Sequence, residues 1–201
     1  VVGGNLRIGG NITPKVSKDN VLALAELQEF PIPLTDFRVW DAMQTNLPAT
    51  SSSDDLALVG GTFGTATPSI RTYDVKAAGA VSLYARFLVQ IPWEYVAGET
   101  VQLRFKAGMI TTVAGTSATI DCEAYKLQGD PDDAIGSDLV STSATTINSL
   151  TFTNVDFNVT PTSLSPGTIL DVRVKIAIND GASGTAVIGG ITSAKLLADV
   201  R

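Results

Sequence analysis

The feature that most constrains the fold is a two-residue alternation of apolar and polar side chains that begins near Asp55. It is clearest at residues 170–178 and recurs at 81–89, 101–107 and 118–124. Alternation with a period of two puts successive side chains on opposite faces of an extended chain. These four segments are therefore predicted to be β-strands with one face in a core and the other in water.

Weaker strand patterns and regularly spaced turn sequences fill the rest of this region. The weaker candidates are residues 56–59, 69–73, 139–142, 147–153, 155–159 and 191–200. The total of roughly eight to ten short strands is typical of an all-β sandwich or barrel. We predict a jelly-roll-like two-sheet β-sandwich, because two sheets must pack face to face to bury their apolar sides. An immunoglobulin-like sandwich is the alternative, although its Cys and Trp pattern is missing.

The first 50 residues differ from the rest of the chain. They lack a clean alternation and contain four prolines, at positions 14, 31, 33 and 48. Proline has no backbone donor, so this stretch is a poor source of central strands. We predict an extended N-terminal arm over residues 1–50, with a short helix at 19–27 capped by Asp19, and a sandwich domain over residues 51–201.

The predicted arm carries large apolar side chains at Phe30, Phe37, Val39 and Trp40. An arm has little core of its own, so these side chains must be buried elsewhere. They either pack back on the sandwich or dock on a neighbouring protein. The second alternative makes them candidate residues of a subunit or capsid interface.

Composition excludes several classes of function. The chain has no His and one Cys, which removes Ser-His-Asp and Cys-His catalysis, His-ligated metals and Cys-rich zinc sites. A net charge of −6 argues against binding to nucleic acid or to anionic membranes. We find neither a signal-peptide pattern at the start nor an apolar run near the ~20 residues that cross a bilayer. We therefore expect a protein that is not an enzyme and that has no cofactor, nucleic-acid or membrane partner.

Few residues are candidates for chemistry. The loop from Asp130 to Asp138 holds four aspartates that could bind calcium, or it could be a solvated turn. Asp121 and Glu123 share one strand face and could serve as a glycosidase pair, although any wet face presents such residues. Cys122 lies on the apolar side of the same strand and is predicted to be in the core.

Trp93 and Tyr95 lie where a predicted strand ends. An aromatic pair at this position could bind a sugar ring or could close the end of the sandwich. With the acidic loop as a possible calcium site, this pair supports an alternative function, that of a carbohydrate-binding or receptor-binding β-sandwich module.

Several segments resemble virion structural proteins of tailed bacteriophages. They are residues 84–87, 91–104 (IPWEYVAGETVQLR), 118–125 (ATIDCEAY), 171–174 and 191–197. The resemblance covers about residues 55–200 and leaves the arm outside it. It brings no catalytic or ligand-binding residues with it.

This resemblance implies a cement protein, which decorates the exterior of an icosahedral capsid and staples neighbouring capsid subunits with terminal arms. The implied partner is the major capsid protein, and the implied location is the outside of the virion. Such proteins commonly form homo-oligomers; the resemblance favours a trimer, and a dimer is possible.

Overall fold

The computed structural model describes residues 14–16, 22–24, 26–76, 79–181 and 185–201. Almost all of its regular structure is β, as the alternation predicted, and its helical residues are confined to two 3-10 turns in the described ranges, Leu34–Asp36 and Pro161–Ser163. The strands are β1 (Pro14–Val16), β2 (Leu22–Leu24), β3 (Glu26–Ile32), β4 (Arg38–Val39), β5 (Ala42–Asn46), β6 (Ala57–Val59), β7 (Ser69–Arg71), β8 (Ala80–Gln90), β9 (Val101–Met109), β10 (Ser117–Lys126), β11 (Thr145–Thr146), β12 (Thr153–Val159), β13 (Ile169–Asn179) and β14 (Gly189–Val200). In the described part of the chain, no helix is long and apolar enough to cross a membrane.

Two antiparallel sheets form a β-sandwich, which confirms the predicted fold class. Sheet I has the strand order β11-β10-β13-β8-β4-β5. Sheet II has the order β12-β9-β14-β7-β6, and β3 also pairs with β14. The four segments with the clearest alternation became the long strands β8, β9, β10 and β13. Long alternating strands form the middle of each sheet because both of their neighbours satisfy their backbone groups.

The core lies between the sheets and is filled by the inward-facing residues of the long strands. Phe87 of sheet I meets Phe105 of sheet II edge to face, with ring centroids 6.3 Å apart. Phe105 in turn meets Phe157 at 6.0 Å. All three rings are completely buried. Aromatic pairs in this geometry contribute ~0.5–1.5 kcal/mol beyond the burial of their area, so this chain of rings helps hold the two sheets together.

The structure corrects the predicted boundary between arm and sandwich at residue 50. Strand β3 pairs with β14 along its whole length, from Glu26 opposite Val200 to Ile32 opposite Ala194. Strands β4 and β5 extend sheet I beyond β8. The prolines of this segment predicted that it would not supply central strands. Pro31 is nevertheless compatible with β3, because this strand has β14 as its one strand partner in the described residues. An edge strand tolerates proline where its nitrogen faces away from the partner strand.

Ion pairs on the outer face of sheet II hold β3 in place. Arg104 donates two hydrogen bonds to Asp156, from Nε at 2.6 Å and from Nη2 at 2.8 Å, and a third from Nη1 to Glu29 of β3 at 2.7 Å. Glu29 also accepts a bond from Lys195 of β14. The two cations lower the pKa of Glu29, the Lys195 bond being the largest cause. Residues 26–50 are thus part of the sandwich through both backbone and side-chain contacts.

The other departures from the sequence prediction concern short elements. Within the predicted helix, Leu22–Leu24 is a strand and Glu26 begins another, so the helix prediction is wrong for the described residues; residues 19–21 and 25 lie outside them. A helix of this length has little stability of its own, and strand pairing satisfies the same backbone groups. The candidate strand at 139–142 forms only an isolated bridge, between Val140 and Val159. The candidate at 147–153 supplies only the first residue of β12.

Candidate functional site

The outer face of sheet I carries a dense arrangement of charged and aromatic side chains. Here the register sets the outward residues of β8, β13 and β10 side by side. Arg173 lies between Arg86 and Glu123, and Asp171 lies between Leu88 and Tyr125. The alternation that buries one side of each strand therefore assembles a polar surface on the other side.

Two arginine–carboxylate pairs organise this surface. Arg86 donates from Nε to Oδ1 of Asp171 at 2.7 Å and from Nη2 to Oδ2 of the same carboxylate. Arg173 donates from Nη2 to both oxygens of Glu123, at 2.9 and 2.8 Å. Arg86 and Arg173 are opposite each other in the register of β8 and β13, and like charges in that position would repel. Each arginine instead has its own carboxylate.

The charges on this surface are fixed in place. Asp171 is 7% exposed although it is ionisable. The hydrogen bonds that Asp171 accepts from Arg86 stabilise the charged guanidinium and so raise the pKa of Arg86. Paired hydrogen bonds also define the plane and the direction of each group more closely than one bond would.

Aromatic rings flank the two arginines. Trp40 follows β4, and its ring lies 5.3 Å from that of Tyr84 on β8. The guanidinium carbon of Arg173 is 5.2 Å from the centroid of Trp40 and 5.1 Å from that of Tyr84. The indole Nε1 of Trp40 donates to Oδ2 of Asp54 at 3.0 Å. Trp40 is therefore held by a hydrogen bond, a ring contact and a cation–π contact, and stays half-buried.

The two arginine–carboxylate pairs and Trp40 line a shallow open groove of about 360 Å³. Besides the two arginine–carboxylate pairs, its lining includes Trp40, Asp41, Tyr125 and Ile135. We call this feature the Trp40 groove. Two guanidinium groups and three carboxylates lie in it, a net charge of −1, and four of these five groups are joined in the two pairs. The arrangement offers fixed hydrogen-bonding groups beside aromatic and apolar surface.

The four candidate interface residues, Phe30, Phe37, Val39 and Trp40, lie in different surroundings. Phe37 and Val39 are 1% and 8% exposed and lie in the chain's own core, where Phe37 is 4.5 Å from Phe87 between ring centroids. Phe30 is half-buried against that core. Trp40 is the member of the set that reaches a surface groove. The structure thus favours packing back on the sandwich for Phe37 and Val39, which leaves them no surface for a partner.

The carboxylates considered for catalysis or metal binding take part in separate ion pairs and backbone hydrogen bonds. Asp121 pairs with Lys175 at 2.9 Å, and Glu123 pairs with Arg173. In the loop, Asp130 and Asp138 accept backbone N–H bonds from their own neighbourhood, and Asp138 also accepts one from Ala124 of β10. Among the described residues, no group of three or more His, Cys, Asp or Glu side chains could hold a metal ion.

Trp93 and Tyr95, the aromatic pair that follows β8, differ in their exposure to solvent. Tyr95 is 3% exposed, and its hydroxyl donates to the carbonyl oxygen of Glu99 at 2.8 Å. Trp93 is 72% exposed and lies against Gly167. These two side chains therefore do not form a shared platform. Cys122 is buried in the core, and burial raises the pKa of its thiol well above the usual range.

No protein-family model matches the sequence, and no curated protein matches it. Some solved structures resemble it weakly. A family 30 carbohydrate-binding module of a Clostridium thermocellum cellulosomal cellulase has 11% identity and a TM-score of 0.36, covering 73% of this chain and 83% of the module. A chain of the infectious bursal disease virus Gx strain has 16% identity and a TM-score of 0.37, covering 100% of this chain and 40% of its own length.

The tailspike protein 4 of bacteriophage CBA120, in its enzymatically active domain, has 13% identity and a TM-score of 0.37. The match covers 84% of this chain and 20% of the tailspike chain. At TM-scores this low, these likenesses carry no argument about ancestry or function.

Proposed function

We propose that this chain is a virion structural protein that binds the exterior of an icosahedral capsid as a cement or decoration protein. The observation that carries the proposal is the resemblance of residues 55–200 to virion structural proteins of tailed bacteriophages. The resembling segments lie in β8, β9, β10, β13 and β14, which form the framework of the sandwich, and in the connection between β8 and β9. The proposed partner is the major capsid protein.

The physical character of the sandwich supports this role. Stapling capsid subunits needs a rigid body that presents many weak contacts, and it needs no reaction centre. Here buried aromatic rings join the two sheets, and cross-strand ion pairs on the outer face of each sheet join neighbouring strands. We further propose that the protein acts as a homo-oligomer, with a trimer favoured over a dimer, because symmetric copies multiply weak contacts.

The stapling segment is the part of the chain that precedes β3. Strands β1 and β2 pair with each other, from Pro14 opposite Leu24 to Val16 opposite Leu22. Within the described residues they belong to neither sheet of the sandwich. The arm proposed from the sequence is therefore shortened to residues 1–25, and residues 26–50 are assigned to the rigid body.

A truncation tests the stapling role. Removing residues 1–25 leaves every strand of both sheets, so the truncated chain is expected to keep the unfolding temperature of the sandwich. It is also expected to lose co-sedimentation with capsids that lack the protein, whereas the full chain co-sediments. Truncated protein that is folded and binds capsids as well as the full chain would overturn the stapling role. A longer deletion of residues 1–50 is unsuitable, because it removes β3, β4, β5 and the buried ring of Phe37.

The alternative function, a carbohydrate-binding or receptor-binding module, was based on Trp93, Tyr95 and the acidic loop. Tyr95 is buried and Trp93 stands apart from it, so this pair gives the alternative little support. A ligand-binding role for the sandwich has to use a different surface.

A further inference from the structure

We propose that the Trp40 groove on the outer face of sheet I is a binding site for a neutral oligosaccharide. This would be a second function, independent of capsid attachment. The groove joins two kinds of surface that a sugar needs. A pyranose ring has an apolar face of C–H bonds, which packs on aromatic rings, and a rim of hydroxyl groups, which needs closely spaced donors and acceptors.

The polar part of the groove matches that rim. The guanidinium of Arg86 bonds to Asp171 through Nε and Nη2, and that of Arg173 bonds to Glu123 through Nη2. A guanidinium has five N–H donors and a carboxylate about four acceptor positions, so each pair retains hydrogen-bonding capacity after the pair itself is formed. Donors and acceptors therefore alternate over a short distance, as vicinal hydroxyl groups require.

The charges of the groove favour a neutral ligand over an anionic one. An anionic ligand would meet Asp41, Glu123 and Asp171, and a cationic ligand would meet Arg86 and Arg173. Both arginines already have carboxylate partners, so neither offers an uncompensated charge. A ligand with many hydroxyl groups and no charge gains hydrogen bonds without such repulsion.

The groove is also arranged before any ligand binds. Trp40 is fixed by Asp54, Tyr84 and Arg173. Fixed side chains lose little conformational entropy on binding, which raises the affinity that a few contacts can give. A volume of about 360 Å³ lies at the lower end of small-molecule sites, so the groove fits a short segment of a glycan chain.

The test uses the full chain on an array of neutral gluco-, manno- and galacto-oligosaccharides, beside sulfated and sialylated glycans. We expect binding to neutral members of the array. Trp40→Ala is expected to weaken it by about tenfold or more, because a central aromatic contact is lost. Trp93→Ala is the matched control, since Trp93 is exposed outside the groove, and is expected to leave binding unchanged.

A second pair of variants keeps the test decisive if Trp40→Ala fails to fold. Ile135 lies at the groove and is 49% exposed, so Ile135→Lys should block the groove without disturbing the core. Leu150→Lys, at a side chain 58% exposed and outside the groove, is its control. The chain has two tryptophans, so Trp93→Phe leaves Trp40 as the one indole fluorophore, and its emission should change on titration with a bound oligosaccharide.

Three results would overturn the proposal: an array on which no neutral glycan binds, binding restricted to sulfated or sialylated glycans, or neutral-glycan binding that Ile135→Lys leaves intact. Capsid attachment is measured by co-sedimentation with no glycan present. Failure of the glycan site and failure of the virion role are therefore separate results.

Discussion

Replacing Phe37 with alanine distinguishes a detached arm from an integral part of the sandwich. Phe37 lies in the segment that the sequence assigns to the arm, yet it is 1% exposed and its ring centroid is 4.5 Å from that of Phe87. Phe87 continues the buried aromatic contacts to Phe105 in the opposite sheet. Truncating Phe37 would therefore open a cavity in the core.

The size of the effect follows from that burial. Truncation of a fully buried phenylalanine costs about 3–5 kcal/mol, through lost transfer free energy and the cavity left behind. For a domain of this length, each kcal/mol lowers Tm by ~2–4 °C. Phe37→Ala is therefore expected to lower Tm by roughly 6–20 °C. If residues 1–50 were an arm outside the core, the change in unfolding free energy would stay within about 0.5 kcal/mol, as for ordinary surface positions.

The assay is urea unfolding followed by far-ultraviolet circular dichroism, with thermal unfolding as a second measurement. The matched control is Phe63→Ala, the same chemical change at a fully exposed side chain, which should leave the midpoint unchanged. Equal midpoints for the Phe37 and Phe63 variants would refute the placement of residues 26–50 in the sandwich.

Two further predictions test local features. Gly115→Ala is expected to destabilise the fold by ~1–3 kcal/mol in urea unfolding, because a Cβ there would lie 2.3 Å from the carbonyl oxygen of Asp180. Gly60→Ala, with no neighbour within 4 Å of its Cβ, should change stability by less than ~0.5 kcal/mol, and equal effects of the two substitutions would contradict the close approach of Gly115 to Asp180. The N–H of Val187 donates to Asp74 at 2.9 Å and is the largest cause of a lowered pKa at that carboxyl. The ionised Asp74 carboxylate therefore stabilises the fold above the ordinary carboxyl pKa, and this stabilisation is lost as pH falls through the lowered pKa. Asp74→Asn should then make the unfolding free energy less dependent on pH in the acid range. Parallel curves of unfolding free energy against pH for the two proteins would contradict this.

The sequence predicted the long strands because their alternation is determined locally. Residues 170–178, for example, show a buried and a wet face whatever their neighbours are. Strands β3 and β4 were missed because their Pro-containing or short sequences form strands through pairing with β14 and β8, and β5 in turn pairs with β4. Pairing partners far along the chain leave no signal in local periodicity.

The Trp40 groove was missed for the same reason. Its charged residues were visible as outward positions of predicted strands, at Arg86, Glu123, Asp171 and Arg173. Opposite charges at these positions are consistent with cross-strand pairs, but periodicity does not tell which strands are neighbours. Trp40 was noticed as a large apolar residue, and its position beside Arg173 depends on β4 joining the edge of β8.

The proposed virion role is tested most directly by quantitative mass spectrometry of gradient-purified particles from the source of this chain. The copy number of the chain is compared with that of the major capsid protein in the same fractions. A fixed, large ratio between the two is the result expected of a protein that decorates the capsid surface. Particles that lack the chain would contradict the proposed function.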